Sequence, residues 1–309
     1  MSYIKRPDGI IDAVLDTDTF NEVDDQFALS LLLGLGDRIR LKSIYAAPFH
    51  DSAGVFFNTK SDSASDGMEK SYQEIIRLLD LSDRNDMRTC VYRGADRFMA
   101  SESTPVESDA AYDLIESAME YSPDDPLYVI GIAAPTNIAS ALLLRPEIAS
   151  RIVVIWLGGN TLDWPTCREF NLSQDLNASR VLFGKAEKLV QVPCMGMASS
   201  FSVSEAEICS HIKGKNKLCD YLAEIVLDEM DRYSGIISKS RILWDVTACA
   251  WLLGESFAMD RLEKRPVPGT ENYEYPGRSM DMNYVFYINR DLLLNELIGR
   301  LTFENAKSR

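Results

Sequence analysis

An apolar strand that runs straight into a knot of acids constrains this chain more than any other feature. Ile10-Ile11-Asp12-Ala13-Val14-Leu15 reads as a buried strand and Phe27-Ala28-Leu29-Ser30-Leu31-Leu32-Leu33 as a buried helix, and between them stand Asp16, Asp18, Asn21, Glu22, Asp24 and Asp25. Both flanks must enter a core, so the carboxylates are held at a strand-to-helix junction. Like charges so close are costly unless a cation neutralises them, a proton is shared or water solvates them. In open α/β sheets such junctions are where ligands bind. A solvated acidic loop is the plainer alternative in so acidic a chain, and the buried flanks argue against it.

With 309 residues the chain can bury a large core, and residues 1–309 are read as a single domain. A hydrophobic share of 46% beside 26% charged residues is that of a globular protein. The net charge of −15 argues against nucleic acid or an anionic membrane as partner and makes a cation the more natural ligand. No run of eighteen apolar residues occurs and none follows the early basic residues Lys5 and Arg6, so a cytoplasmic location is expected. Cys90, Cys167, Cys194, Cys209, Cys219 and Cys249 lack Cys-x-x-Cys spacing and read as buried thiols.

Apolar runs predict strands over 11–16, 41–47, 89–92, 127–132, 152–157 and 189–192. Three- and four-residue apolar spacing predicts helices over 24–35, 68–81, 108–121, 136–144 and 178–183. Beyond residue 203 the pattern is mostly helical, over 205–212, 217–233 and 245–253, before a strand over 284–288 and a last helix over 291–301. This alternation predicts an α/β fold with a mostly parallel central sheet flanked by helices and a site at the C-terminal ends of the strands. Residues 50–67 and 94–106 form loops longer than a connection needs, on the expected ligand side, where long loops tend to be lids. Phe56 and Phe57 favour that role for the first loop over a plain surface insertion.

The acidic run resembles the signature of the inosine-uridine-type nucleoside hydrolase superfamily, a strand followed by Asp-x-Asp-x-Gly-x-Asp-Asp. Three further segments agree in order: Thr136-Asn137-Ile138-Ala139, then Gly158-Gly159 with Glu169-Phe170-Asn171, then Trp244-Asp245 at the head of an apolar helix. The matches span residues 11–254.

The resemblance implies a calcium ion held by Asp18, Asp25 and Asp245 with the main-chain carbonyl of Thr136, and a small nucleoside as substrate. Calcium takes roughly six to eight oxygen ligands, which these groups, water and ribose hydroxyls supply. Asp24 is implied as the general base for the attacking water, and Asp16, Glu169 and Asn171 as holders of ribose hydroxyls. Without a ligand, Asp16 caps the turn and Glu169 and Asn171 make ordinary loop hydrogen bonds. A homo-oligomer, dimer or tetramer, is expected. An EF-hand fails because Phe20 falls on an oxygen position, and zinc is disfavoured because His50 and His211 are the only histidines.

Three departures from the family pattern matter. Five residues separate Asp18 from Asp24, two more than usual, and the Gly is missing; Asn21 is the residue to supply a left-handed conformation in its place. Trp244 stands where pyrimidine-accepting members carry an acidic His, which favours a purine stacked on the indole. After the second strand, Pro48-Phe49-His50 replaces a common Asn, and Phe49 either stacks on a base or joins the core. Two other functions remain open at this level: a nucleoside- or ribose-binding protein whose insertion has spoiled water activation, and a phosphatase of the haloacid dehalogenase class starting at Asp16-Thr17-Asp18. The latter lacks a downstream Lys and acidic pair at suitable spacing.

Overall fold

The computed structural model describes residues 4–50, 60–232, 239–275, 277 and 279–302. The apolar runs become the strands β1 (Ile11–Thr17), β2 (Ile39–Ala46), β3 (Val91–Arg93), β4 (Leu127–Gly131), β5 (Ile152–Leu157) and β6 (Leu189–Val192). Between them lie α1 (Asp24–Gly34), α2 (Ala64–Leu81), α3 (Asp109–Met119), α4 (Thr136–Leu144), α5 (Phe170–Gln174) and α6 (Leu176–Lys185). The C-terminal third adds β7 (Ser202–Ser204), α7 (Glu205–Glu207), α8 (Lys217–Asp231), β8 (Ser240–Ile242) and α9 (Val246–Leu253). It ends with β9 (Ala258–Lys264), β10 (Val267–Pro268), β11 (Tyr273–Glu274), β12 (Asp281–Ile288) and α10 (Arg290–Thr302).

One eight-stranded sheet runs in the order β3-β2-β1-β4-β5-β6-β12-β9. All its neighbours are parallel except β9, which pairs antiparallel with β12 at the edge. Strand alternation divides the apolar residues between two cores. Leu15, Ile130, Ile155 and Val190 face the layer of α1, α8, α9 and α10, while Val14, Val129, Val154 and Leu189 face α3, α4 and α6. Such two-sided burial explains why the strands read as unbroken apolar runs. The chain builds outward from β1 through β2 to β3, then returns to add β4 on the other side of β1. The connections from β1 into α1 and from β4 into α4 therefore leave toward opposite faces of the sheet at a topological switch point, the expected ligand crevice.

Several details depart from the sequence reading. β9, the antiparallel pair β7–β8 and the hairpin β10–β11 carry no apolar run; β9, with Asp260, Arg261, Glu263 and Lys264, is a charged edge strand. The stretch 205–212 is one α turn followed by a π turn over Ile208–Ile212. Of the six cysteines only Cys167, Cys219 and Cys249 are buried; Cys90 and Cys194 are half-buried and Cys209 is exposed. Asn21 is not left-handed, since Asp83 is the one non-glycine residue with positive φ among those described. Of the expected lid over 50–67, residues 51–59 lie outside the described residues, and 64–67 form the first turn of α2. The 94–106 loop is tied down, with Ala95, Met99 and Val106 packed against α4 and α6 and the Met99 N–H donating to Asp175 at 2.8 Å.

Candidate active site

β1 delivers Asp16 and Thr17 at its C-terminal end, and the chain then closes a turn in which the Asn21 N–H donates to the Asp18 carbonyl at 2.7 Å. This turn absorbs the two extra residues. α1 still begins at Asp24, so Asp24 and Asp25 occupy its first turn, where the exposed peptide N–H groups favour negative charge. Asp245 stands at the same end of α9, which packs against α1. The two helix N-termini thus converge, and carboxylate oxygens of Asp24, Asp25 and Asp245 lie within 4.8 Å of one another.

Hydrogen bonds fix the cluster. The Asp245 N–H donates to Asp24 Oδ2 at 3.1 Å and the Thr17 hydroxyl donates to Asp25 Oδ1 at 2.5 Å. Asp18 stands beside this trio, close enough that its charge raises Asp245 and is itself raised by Asp25. The trio includes Asp24, whereas the sequence reading grouped Asp18 with Asp25 and Asp245.

These acids are fully interior; even the most exposed, Asp245, shows only 5% of its surface. Burial, then neighbouring charge, pushes Asp25 up to about 8, and burial pushes Asp16 up to about 7. Asp18 and Asp245 are driven well above the carboxylate range by burial and by each other's neighbours, and Asp24 is raised less because Arg241 opposes its desolvation. Asp16 Oδ2, Asp18 Oδ2 and Asp24 Oδ1 are buried acceptors with no hydrogen-bond donor among the described residues. A set of oxygen-only donors that protein groups leave unsatisfied fits a hard divalent cation. The residues present match such an ion.

The neighbouring strand ends complete the wall. Asn137, in the first turn of α4, donates to Asp16 Oδ1 at 2.8 Å while its own Oδ1 accepts from the Ala95 N–H at 2.8 Å. Glycine is required at position 94, because a Cβ there would lie 2.2 Å from the Ala46 carbonyl and 2.4 Å from Asn137 Nδ2. Thr136 is buried and its hydroxyl donates to Asp175 at 2.8 Å. After β5, Gly159 takes φ +69°, which presents its N–H to Glu169 Oε2 at 2.8 Å. Glu169 also accepts from the N–H groups of Asn171 and Leu172, each at 3.0 Å, and so caps α5. Asn171 donates from Nδ2 to the Ile132 and Leu157 carbonyls at 3.2 and 3.1 Å.

A cavity of about 540 Å³ opens above these groups. Asp18, Asp24, Asp25, Glu169, Asn171, Trp244 and Asp245 line it; Asp16, Thr136 and Phe49 do not. Phe49 is wholly buried with its ring near Gly67, so joining the core is the role its position allows. Trp244 is half-buried at the wall, its Nε1–H has no acceptor among the described residues, and the Arg241 guanidinium lies 5.2 Å from its ring centre. Arg241 pairs in turn with Glu22 of the inserted turn. The sequence reading missed Thr17 and Arg241; an Arg three residues before Trp244 was the available signal for the second.

The family model described as inosine-uridine preferring nucleoside hydrolase matches residues 13–283. Comparison with curated proteins finds no match. Among solved structures, a purine-preferring ribonucleoside hydrolase from Gardnerella vaginalis is similar at 19% identity and a TM-score of 0.70, over 94% of this chain and 98% of that one. An inosine-guanosine nucleoside hydrolase (16% identity, TM-score 0.71) matches over 95% of this chain and 99% of its own. A plant nucleoside hydrolase (14% identity, TM-score 0.71) covers the same shares.

Proposed function

Because the chain belongs to the inosine-uridine preferring nucleoside hydrolase family, we propose that it is a calcium-dependent enzyme cleaving the N-glycosidic bond of a ribonucleoside, purine favoured, to ribose and free base. The observation that carries this reading is the convergence of Asp24, Asp25 and Asp245 at two helix N-termini on the floor of a nucleoside-sized cavity. The inserted turn leaves that convergence intact, which supports an active enzyme over a binding protein.

In this reading Asp18, Asp25, Asp245 and the Thr136 carbonyl hold the calcium ion. When bound, the ion keeps these acids ionised and acts as a Lewis acid toward water and hydroxyl oxygens. Asp24 takes the proton of the attacking water; burial raises its basicity toward the working pH, which is what a general base needs. Its negative charge also stabilises the oxocarbenium-like state of glycoside cleavage. Glu169, held in place by the N–H groups of Gly159, Asn171 and Leu172, lines the cavity where a ribose hydroxyl would meet it. Asn171 shares that wall, and Asp16 supports the floor from behind through Asn137. Trp244 offers its indole to the base, and its larger overlap with a purine underlies the base preference. A cytoplasmic homo-oligomer, dimer or tetramer, of a single domain completes the reading; no helix among the described residues is long and apolar enough to cross a membrane.

The test is a panel of purine and pyrimidine ribonucleosides with products separated by chromatography. Equimolar free base and ribose, formed faster from inosine or guanosine than from uridine, is expected. Absence of both products from every nucleoside, in protein that binds one of them, would replace the hydrolase with the binding protein.

A further inference from the structure

The cavity is polarised, and a neutral nucleoside gives no reason for it. Its floor is acidic, yet Lys60, Arg168, Arg232 and Arg241 line the same space. Glu229 Oε1 faces both Lys60 Nζ at 3.7 Å and an Arg232 nitrogen at 3.1 Å, so two cations share one carboxylate. Arg241 pairs with Glu22, which also senses Lys60 and Glu229, joining all five groups in one network. The cations are graded in depth: the Arg232 side chain is 65% exposed, Lys60 27% and Arg241 14%, whereas the floor acids are buried.

Resting on the nucleoside hydrolase reading, we propose that the mouth formed by Lys60, Arg232 and Arg241 is a phosphate subsite and that the substrate is a ribonucleoside bearing a phosphate on its 5′ carbon. Held at the floor through its 2′- and 3′-hydroxyls, a ribonucleoside directs its 5′ carbon outward, away from the acids that would repel an anion. Guanidinium groups match phosphate oxygens with paired N–H bonds, and an ammonium adds a point charge. The existing pairs to Glu229 and Glu22 do not bar this. The Lys60–Glu229 contact is long at 3.7 Å and Arg232 is largely exposed, so both pairs are weak, and a phosphate dianion competes well for a cation that shares its carboxylate. The plainer alternative is that these pairs only fasten the end of α8 to Lys60, ahead of α2, and β8 to the turn before α1.

The calcium-loaded, full-length protein is assayed with inosine and inosine 5′-monophosphate at low and high salt. The monophosphate should show a kcat/KM roughly tenfold or more above inosine, shrinking as salt screens the mouth. Arg232→Gln, and separately Lys60→Gln, should bring that ratio toward one in protein whose melting curve is unchanged. If inosine is cleaved as well as or better than its monophosphate, the subsite is refuted while the hydrolase reading stands. If neither is cleaved, that reading falls, and calorimetry decides the subsite: ribose 5-phosphate must bind at least tenfold more tightly than ribose, and equal binding overturns it.

Discussion

Replacing Asp25 by Asn should stabilise the metal-free protein and abolish its stabilisation by calcium, two opposite effects from one atom. Asp25 sits within 4.8 Å of two other carboxylates. Two unit charges at that distance repel by about 3 kcal/mol at an effective dielectric of about 20. The protonation route gives a similar size. With the folded value raised from 3.8 to about 8, holding Asp25 in the folded protein at pH 7 costs about 4 kcal/mol relative to an ionised unfolded chain. Asn carries no charge and keeps an oxygen to accept from Thr17, so most of that cost disappears. For a chain of this length about 2 °C accompanies each kcal/mol, and the chelator-treated variant should melt about 6 °C above the chelator-treated parent. A ligand at about a hundredfold its Kd adds about 2.7 kcal/mol to the parent, and the variant should gain almost none. Differential scanning calorimetry with chelator and with calcium reads both effects. A variant that melts below the parent in chelator, or that still responds fully to calcium, would refute the reasoning.

Asp24→Asn keeps the acceptor for the Asp245 N–H but cannot take a proton, so kcat should drop by roughly two to four orders of magnitude while calcium remains bound by elemental analysis. Retained turnover would transfer the base role elsewhere. Trp244→Ala should lose more kcat/KM on inosine than on uridine, by about tenfold for a stacking energy of roughly 1 to 3 kcal/mol; equal losses in a folded variant would reduce Trp244 to a packing residue. Stability in chelator should fall as pH rises from 6 to 8. Asp16 and Asp25 bind protons in the folded protein up to about 7 and about 8 but in the unfolded chain only near 3.8, and stability decreases with pH wherever the folded state holds more protons. Melting curves at the two pH values decide it, and a higher melting temperature at pH 8 would contradict the burial argument.

The parallel strands and the acidic junction were legible because two-sided burial writes itself as an unbroken apolar run, and because acids between such runs have nowhere else to go. Gly159, Glu169 and Asn171 were readable as a motif, but not that Glu169 caps α5 through two N–H bonds and accepts a third from Gly159. That third bond depends on the left-handed turn at Gly159. β9 escaped notice because an edge strand exposed to solvent keeps its charges. The pairing of Arg241 with Glu22, 219 positions apart, and its stacking on Trp244 depend on how the C-terminal third docks on the sheet. No local pattern encodes that docking. Phe49 shows the same limit, since only the packing around Gly67 separates a core ring from a stacking one.

The claim at the centre is that the buried acids of β1, α1 and α9 hold one cation that drives N-glycosidic cleavage. Calcium titrated into chelator-stripped protein, with bound metal and ribose release from a purine ribonucleoside followed together, tests it directly. One ion per chain, and ribose release that rises in step with occupancy from near zero, is the predicted result. Undiminished ribose release from the stripped protein, or full occupancy with no ribose from any nucleoside or its 5′-monophosphate, would contradict it.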